Sequence, residues 1–299
     1  MSALAVTRNL ASSKPRVHTQ VRPYTTRRFD GYKGCKMAAN QEEIKKLVRE
    51  RYGARARGVI ELTQVQNGGD SSCGDSGCCG PADLDRALRL YSEGQISGLP
   101  TEAVAASAGC GNPTALAGLK TGERVLDLGS GGGIDCFLAS QQVGETGHVI
   151  GLDMTPDMLE LARKNQANLG LTNVEFIKGE MEQIPLPDSH VDVVISNCVV
   201  CLSPDKDAVF NETFRVLAPG GRIHLSDMMS LTPEGPARTD PEAWATCVAG
   251  AEYRDVYLDR LQRAGFVDIE TTEENIRFDD DGLPLNVASV KVVARKPQS

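Results

Sequence analysis

Two apolar periodicities alternate along the chain. Residues 41–56 (QEEIKKLVRERYGARA) place Ile44, Leu47, Val48 and Tyr52 at helical spacing, which predicts an amphipathic helix. Residues 67–81 (NGGDSSCGDSGCCGP) break the pattern with Gly and Ser and read as a loop. Residues 82–92 predict a short helix, and residues 93–113 read as loop ending at GCGNP. Beyond that point short apolar runs predict buried strands: RVLDLG (124–129), HVIGLD (148–153), VEFIKG (174–179), VDVVISN (191–197) and RIHLSD (222–227). Helical stretches at 133–143, 156–169 and 205–217 separate them, the second opening on Thr155-Pro156, a cap followed by Pro in the first turn. An irregular insert (228–252), a helix (253–264) and two strands (267–272, 287–294) complete the chain. Strands alternating with helices predict a parallel, doubly wound α/β sheet whose last strand pair closes one edge.

Charge divides the chain. Residues 1–36 carry eight Lys/Arg and one acid, for +7, and the remainder carries −15. A basic, Ser- and Thr-containing, acid-poor leader reads as a transit sequence for a chloroplast or mitochondrion; the bland alternative is a basic tail with no address. A body at −15 argues against nucleic acid as a partner. The sequence has no run of 18 apolar residues, so no membrane span is expected. Nine cysteines in 299 residues, without a secretory signal, fit functional thiols better than a disulfide framework.

The first βα turn reads Asp127-Leu128-Gly129-Ser130-Gly131-Gly132-Gly133, and Asp153 ends the second strand 20 residues after Gly133. Glycines let the backbone bend and approach a ligand, and an acid at that offset can accept both hydroxyls of a ribose. A dinucleotide fingerprint counted from Gly129 would need Gly at 134, where Ile134 stands. The string DLGSGGG instead resembles motif I of class I S-adenosylmethionine methyltransferases, and so implies a Rossmann-like sheet. The resemblance assigns Gly129, Ser130, Gly131 and Gly133, with Asp127 before them, to the methionine portion of S-adenosylmethionine. It assigns Asp153 and Met154 to the ribose side. Glu180 and Met181 flank the adenine, and Asn197 lies beside the methyl donor.

Cys110, Cys198 and Cys247 fall in three separate loops, 88 and 49 residues apart, so no local metal knuckle explains them. Cys198 follows the fourth strand, Cys247 lies in the insert after the fifth, and Cys110 leads into the first. All three can meet over the carboxyl edge of the sheet, where ligands bind in this architecture. Thiolates select soft acceptors. Three of them around a trivalent group-15 ion leave a lone pair that needs no general base to act as a nucleophile. Core packing remains the bland reading for any one of them.

The strings CCGPADL, VAASAGCGNP, VLDLGSGGGIDCF, VIGLDMTPDML, DVVISNCV, LSPDK and CVAGA together resemble the arsenite methyltransferases from about residue 40 to the end. That resemblance implies methylation of trivalent arsenic, free or as a glutathione conjugate, to mono- and dimethylated products. It assigns Cys110, Cys198 and Cys247 as arsenic ligands. It places Cys78 or Cys79, with a lean to Cys79, as a mobile redox thiol that pairs with Cys110 and is reset by thioredoxin or glutathione. Cys201 departs from the family pattern. Its C-x-x-C pairing with Cys198 could be a zinc half-site or a redox pair, but zinc needs two further ligands that the sequence does not offer at recognisable spacing. Packing or an auxiliary thiol fits Cys201 better. Cys136 reads as core, Cys35 and Cys73 as dispensable, and Trp244 as a lid or core residue.

The expected organisation is a leader (1–36), a helical and loop segment (37–113), a cofactor-binding core (114–227) and a lid insert with closing elements (228–299), acting as a monomer. Two other readings stay open: a methyltransferase for a small organic acceptor such as a quinone or tocopherol precursor, and a thiol protein that binds metalloid without turnover.

Overall fold

In a computed structural model, the described residues are 22–23, 41–66, 90–113, 117–236, 241–278 and 284–299. The leader apart from Arg22–Pro23, the cysteine-rich loop with Cys73, Cys78 and Cys79, Cys35, and most of the helix expected at 82–92 lie outside them.

Eight strands form one sheet: β1 (Arg22–Pro23), β2 (Arg124–Leu128), β3 (His148–Asp153), β4 (Val174–Lys178), β5 (Val191–Asn197), β6 (Leu217–Ser230), β7 (Val267–Phe278) and β8 (Pro284–Arg295). Their order is β1-β7-β8-β6-β5-β2-β3-β4. Strands β2 to β6 run parallel, while β8 is antiparallel to both β6 and β7. Helices are α1 (Gln41–Gln66), α2 (Glu93–Ile96), α3 (Thr101–Ala106), α4 (Ile134–Val143), α5 (Pro156–Leu169), α6 (Lys206–Val216), α7 (Pro241–Ala245) and α8 (Arg254–Arg263).

The strands form because their apolar side chains are buried on both faces of the sheet. Leu126 and Leu128 of β2 join a core with Ile150, Leu225 and Tyr257, whereas Val125 joins the opposite core with Phe137, Val149 and Val193. Both faces are therefore dry, which explains the continuous apolar runs in place of alternation. Strand order reverses between β2 and β5, so their carboxyl ends open a crevice at a topological switch point.

Strand β6 extends well beyond the expected 222–227, because β8 pairs with it from Arg222↔Arg295 to Ser230↔Val287. The ladder supplies partners for a stretch whose sequence, Met228-Met229-Ser230, carries no strand period. The insert accordingly begins at Leu231, and the five-residue α7 inside it is too short to announce itself by periodicity. No described helix is long and apolar enough to cross a membrane.

One ion pair anchors the lead-in to β2. Arg222 on β6 grips Glu123 with two hydrogen bonds of 2.7 and 2.9 Å, and also donates to the carbonyls of Ala117 and Gly118. Burial alone would raise the Glu123 carboxyl, but Arg222 and the Lys120 N–H hold it below its ordinary 4.5. Glu123→Gln should cost about 2 kcal/mol, between the values of surface and buried pairs. For a chain of this size that is about 4–8 °C in melting temperature near neutral pH. Since the folded pKa is depressed, the contribution is present above pH 4.5 and disappears as pH falls through the folded value. Thermal melts of parent and variant should therefore converge on acidification; a constant gap down to about pH 3 would contradict the pair's role.

Candidate functional site

A cleft opens at the carboxyl ends of β2, β3 and β5. Gly129, Ser130 and Gly131 line one wall, Asp153 and Met154 a second, Gly179 and Met181 a third, and Asn197 and Cys198 the floor. From across the cleft, α1 contributes Lys45, Val48 and Tyr52.

Asp153 is held in place by two main-chain donors. Gly131 N–H reaches its Oδ2 at 2.9 Å and Thr155 N–H its Oδ1 at 2.8 Å. Burial pushes this carboxyl up, and those bonds offset part of the effect. The Ser130 hydroxyl is buried and has no hydrogen-bond partner of its own. A buried hydroxyl normally finds one, so a polar ligand group belongs beside it. With Asp153 at the strand end, an orphaned hydroxyl and apolar walls from Leu152 and Val199, the cleft fits S-adenosylmethionine.

Three residues assigned to the cofactor from sequence sit outside that lining. Asp127 is buried beneath the loop and accepts from the Cys136 thiol at 3.3 Å. Gly133 caps α4 with φ of 93°, packed so closely that a Cβ would press on Phe137 and Phe176. Glu180 turns toward α1, where Lys45 Nζ meets its Oε2 at 2.6 Å and Arg49 Nη1 its Oε1 at 3.4 Å. Lys45 also reaches Glu182, which does line the cleft, at 3.5 Å. Burial works against the Lys45 charge, yet these two carboxylates leave its pKa raised. These ion pairs tie α1 to the turn after β4 at the rim of the cleft.

Asn197 joins the cleft to the thiols. Its Oδ1 accepts from the N–H groups of Cys110 and Gly111 at 3.0 and 3.2 Å. Its Nδ2 lies 2.8 Å from the Gly111 carbonyl and 3.0 Å from both the Tyr91 hydroxyl and Asp135 Oδ2. Tyr91 in turn donates to Asp135. Burial raises Asp135 to about 6, against the hydrogen bonds from Asn197 and Tyr91. The two glycines of GCGNP follow from this packing: a Cβ on Gly109 would collide with the Asn197 side chain, and one on Gly111 with Ser226 Oγ. Sequence reasoning missed Tyr91 and Asp135, whose pairing spans 44 residues.

The thiols converge in a dry pocket. Cys110, Cys198, Cys201 and Cys247 are all buried, and they share a core with Ile44, Val48, Leu202, Met228 and Trp244. The Sγ atoms of Cys198, Cys201 and Cys247 lie within 4.8 Å of one another. Cys110 stands outside that trio but is a hydrogen-bonding neighbour of Cys198; its thiol also donates to the Ser226 carbonyl at 3.6 Å. The Cys247 thiol donates to the Cys198 carbonyl at 3.4 Å and lies 3.9 Å from the Tyr52 hydroxyl. Cys198 and Cys247 both hold left-handed backbone, at φ of 62° and 70°. The neighbouring Cys110, Cys201 and Cys247 thiols, together with burial, push Cys198 up, and burial does the same to Cys201. Cys136, by contrast, is buried under the glycine loop beside Asp127. Trp244 donates its indole N–H to the Leu202 carbonyl at 3.0 Å, fastening the insert to the turn after β5.

Comparison with known proteins gives a consistent result. Residues 119–275 match the family described as "Methyltransferase domain". An arsenite methyltransferase from Halobacterium salinarum is 42% identical over 267 residues, covering 86% of this chain and 67% of that protein. One from Aquipseudomonas alcaligenes is 36% identical, over 73% of this chain and 64% of its own length. The chain thus spans about two thirds of the length of these relatives. Among solved structures, an arsenic(III) S-adenosylmethionine methyltransferase from Chlamydomonas reinhardtii is similar, with a TM-score of 0.56 and 37% identity over 71% of this chain and 73% of that one.

If Asn197 holds the Cys110 loop closed, Asn197→Ala should expose that thiol. Losing two or more of its bonds removes about 1–3 kcal/mol of local stability, so alkylation of Cys110 should accelerate roughly tenfold to a hundredfold. Mass mapping of a timed alkylation, with circular dichroism to show an intact fold, reads this directly. An unchanged Cys110 rate in a folded variant would show that the loop is held by other contacts.

Proposed function

The chain belongs to the arsenite methyltransferases, and from that membership we propose that it transfers methyl groups from S-adenosylmethionine to trivalent arsenic held by buried thiols. The observation that carries the reading is the position of Cys198: one side chain lines the cofactor cleft and also borders every other thiol of the cluster.

The proton balance suits this pocket. Arsenite, As(OH)₃, exchanges each hydroxyl for a thiol, releasing one water per As–S bond and leaving a neutral trithiolate. A neutral product costs little in an apolar enclosure, whereas a divalent cation on three thiolates would leave a buried net charge. Cys198 and Cys247 supply two of the ligands, with the third from Cys110 or Cys201. The lone pair of the arsenic lies opposite the three sulfurs.

When bound, S-adenosylmethionine supplies an electrophilic methyl group on a sulfonium. The residues of the chain orient the partners. Asp153 accepts from the ribose, Ser130 satisfies a polar group of the methionine portion, and Asn197 fixes the loop that carries Cys110. With the cofactor bound, the arsenic lone pair would form the As–C bond as the sulfonium S–CH₃ bond breaks and S-adenosylhomocysteine leaves, so no side chain need remove a proton. Catalysis then comes from alignment and from exclusion of water by α1 and the insert. The methylated arsenic is formally pentavalent, and two electrons return it to the trivalent state. In this scheme the thiol of Cys78 or Cys79, forming a disulfide with Cys110 and reset by thioredoxin or glutathione, supplies them as one As–S bond breaks. Both of those cysteines lie outside the described residues. Cleft and thiols belong to one chain, which supports action as a monomer. The basic leader supports delivery to an organelle.

Incubating the full chain with arsenite, S-adenosylmethionine and a thiol reductant should yield methylated arsenicals separable by chromatography. Cys198→Ser should reduce their formation by at least about a hundredfold, because the ligand nearest the cleft is lost. Bound arsenite without any methylated product would instead favour a non-catalytic thiol protein. Asp153→Ala should raise KM for S-adenosylmethionine about thirtyfold to a hundredfold with kcat little changed, the signature of lost binding rather than lost chemistry. A fall in kcat with unchanged KM would remove Asp153 from the ribose.

A further inference from the structure

We propose that Cys201 is an arsenic ligand: Cys198, Cys201 and Cys247 form the resting trithiolate set, and Cys110 is a fourth thiol that can exchange into it through Cys198. This rests on the arsenite-methylation reading above and deepens it by naming the ligands.

Three observations carry it. The Sγ atoms brought within mutual reach are those of Cys198, Cys201 and Cys247, and Cys110 is outside that trio. Cys201 is completely buried and its main chain is fixed from two sides: Lys206 Nζ donates to its carbonyl at 3.4 Å, and a Cβ on Gly250 would collide with that same carbonyl. Its thiol is therefore aimed by the fold rather than free to wander. Third, the turn after β5 supplies both Cys198 and Cys201, while the insert supplies Cys247 and is fastened to that turn by the Trp244–Leu202 hydrogen bond. Two of the three ligands thus sit on one short turn, and the third is tied to it. Cys110 is held on a different loop, through Asn197 and through Ser289, whose hydroxyl donates to the Cys110 carbonyl at 2.9 Å.

The Cys201 thiol also hydrogen-bonds the buried carboxyl of Asp227, which holds its sulfur at the edge of the cluster. A sulfur there gives the site four thiols where trivalent arsenic takes three. Loading consumes three thiols and one As(OH)₃ and releases three waters, with no change of oxidation state. Exchange is equally balanced: the Cys110 thiol forms an As–S bond as the Cys201–As bond breaks, and the proton passes from one sulfur to the other. By the reverse exchange Cys110 leaves the trivalent arsenic while three sulfurs still hold it.

The test is X-ray absorption at the arsenic edge, together with arsenite titration, on the full chain with arsenite below the protein concentration so that the tightest site fills first. Parent and Cys110→Ser should both show three As–S bonds, with affinities within about threefold. Cys201→Ala keeps the apolar packing and should bind at least tenfold more weakly. The double variant should keep only two sulfurs, with oxygen as the third ligand. Melting curves and S-adenosylmethionine binding establish that each variant is folded. The assignment is overturned if Cys201→Ala retains three sulfurs and parent affinity while Cys110→Ser drops to two; arsenite methylation by the other three cysteines then stands. If Cys198→Ser also binds arsenite as the parent does, the buried thiol site itself is wrong, and both readings fall.

Discussion

The structure depends most on what the Asn197 side chain does at the end of β5. One carboxamide bonds the main chain on both sides of Cys110 and meets the Tyr91–Asp135 pair beneath the cofactor cleft. It therefore sets the distance between the segment that binds the methyl donor and the segment that presents thiols. A methyl transfer along one axis tolerates little error in that distance. The cost of the arrangement is visible in Asp135, a buried carboxyl pushed up to about 6. Such a group persists in a core only where its hydrogen bonds are nearly complete.

Closure comes from elements far apart in sequence. Helix α1 brings Lys45 to Glu180 and Tyr52 to Cys247, across separations of 135 and 195 residues. The insert brings Trp244 and Cys247 to the turn after β5. Both covers are tied to the sheet by polar contacts at their edges and by apolar packing beneath, with Val48 and Ile44 in the same core as the four thiols. The polar contacts give these covers their register. The packing excludes water from the thiol cluster and strengthens every electrostatic interaction within it.

Much of this was legible in the sequence, for physical reasons that can be stated. Strands buried on both faces must be apolar throughout, so RVLDLG and VDVVISN announce themselves. An acid at the end of β3 must face the glycine loop because parallel neighbours share their carboxyl edge, which fixes Asp153 beside Gly131. The same topology brings the loops carrying Cys110, Cys198 and Cys247 to one place. Side-chain pairings between distant segments leave no such trace. Glu180 looks like an adenine contact by position, yet two cations on α1 claim its carboxylate. Tyr91 precedes the cleft by many residues and gives no signal of meeting Asp135. Cys201 reads from sequence as packing or an auxiliary thiol because no further ligands stand at recognisable spacing, whereas in the fold its neighbours include Cys247 across the insert.

The backbone supplies an independent argument that the thiols are there for chemistry. Cys198 and Cys247 both occupy the left-handed region, where a side chain with a Cβ costs of order 1 kcal/mol or more and glycine sits freely. Selection for stability alone would place glycine, or asparagine, at both. Two cysteines in that conformation, in one buried cluster and on two different loops, mean that the position of the sulfur outweighs the local cost. The left-handed turn at Cys198 also has a geometric effect. It ends the strand while the Cys198 N–H still bonds the Ser226 carbonyl at 2.7 Å, so the residue keeps its register on β6. The next residues can then fold back and bring Cys201 under Cys198. Strain at one residue is thus what allows a single turn to present two thiols to the same point.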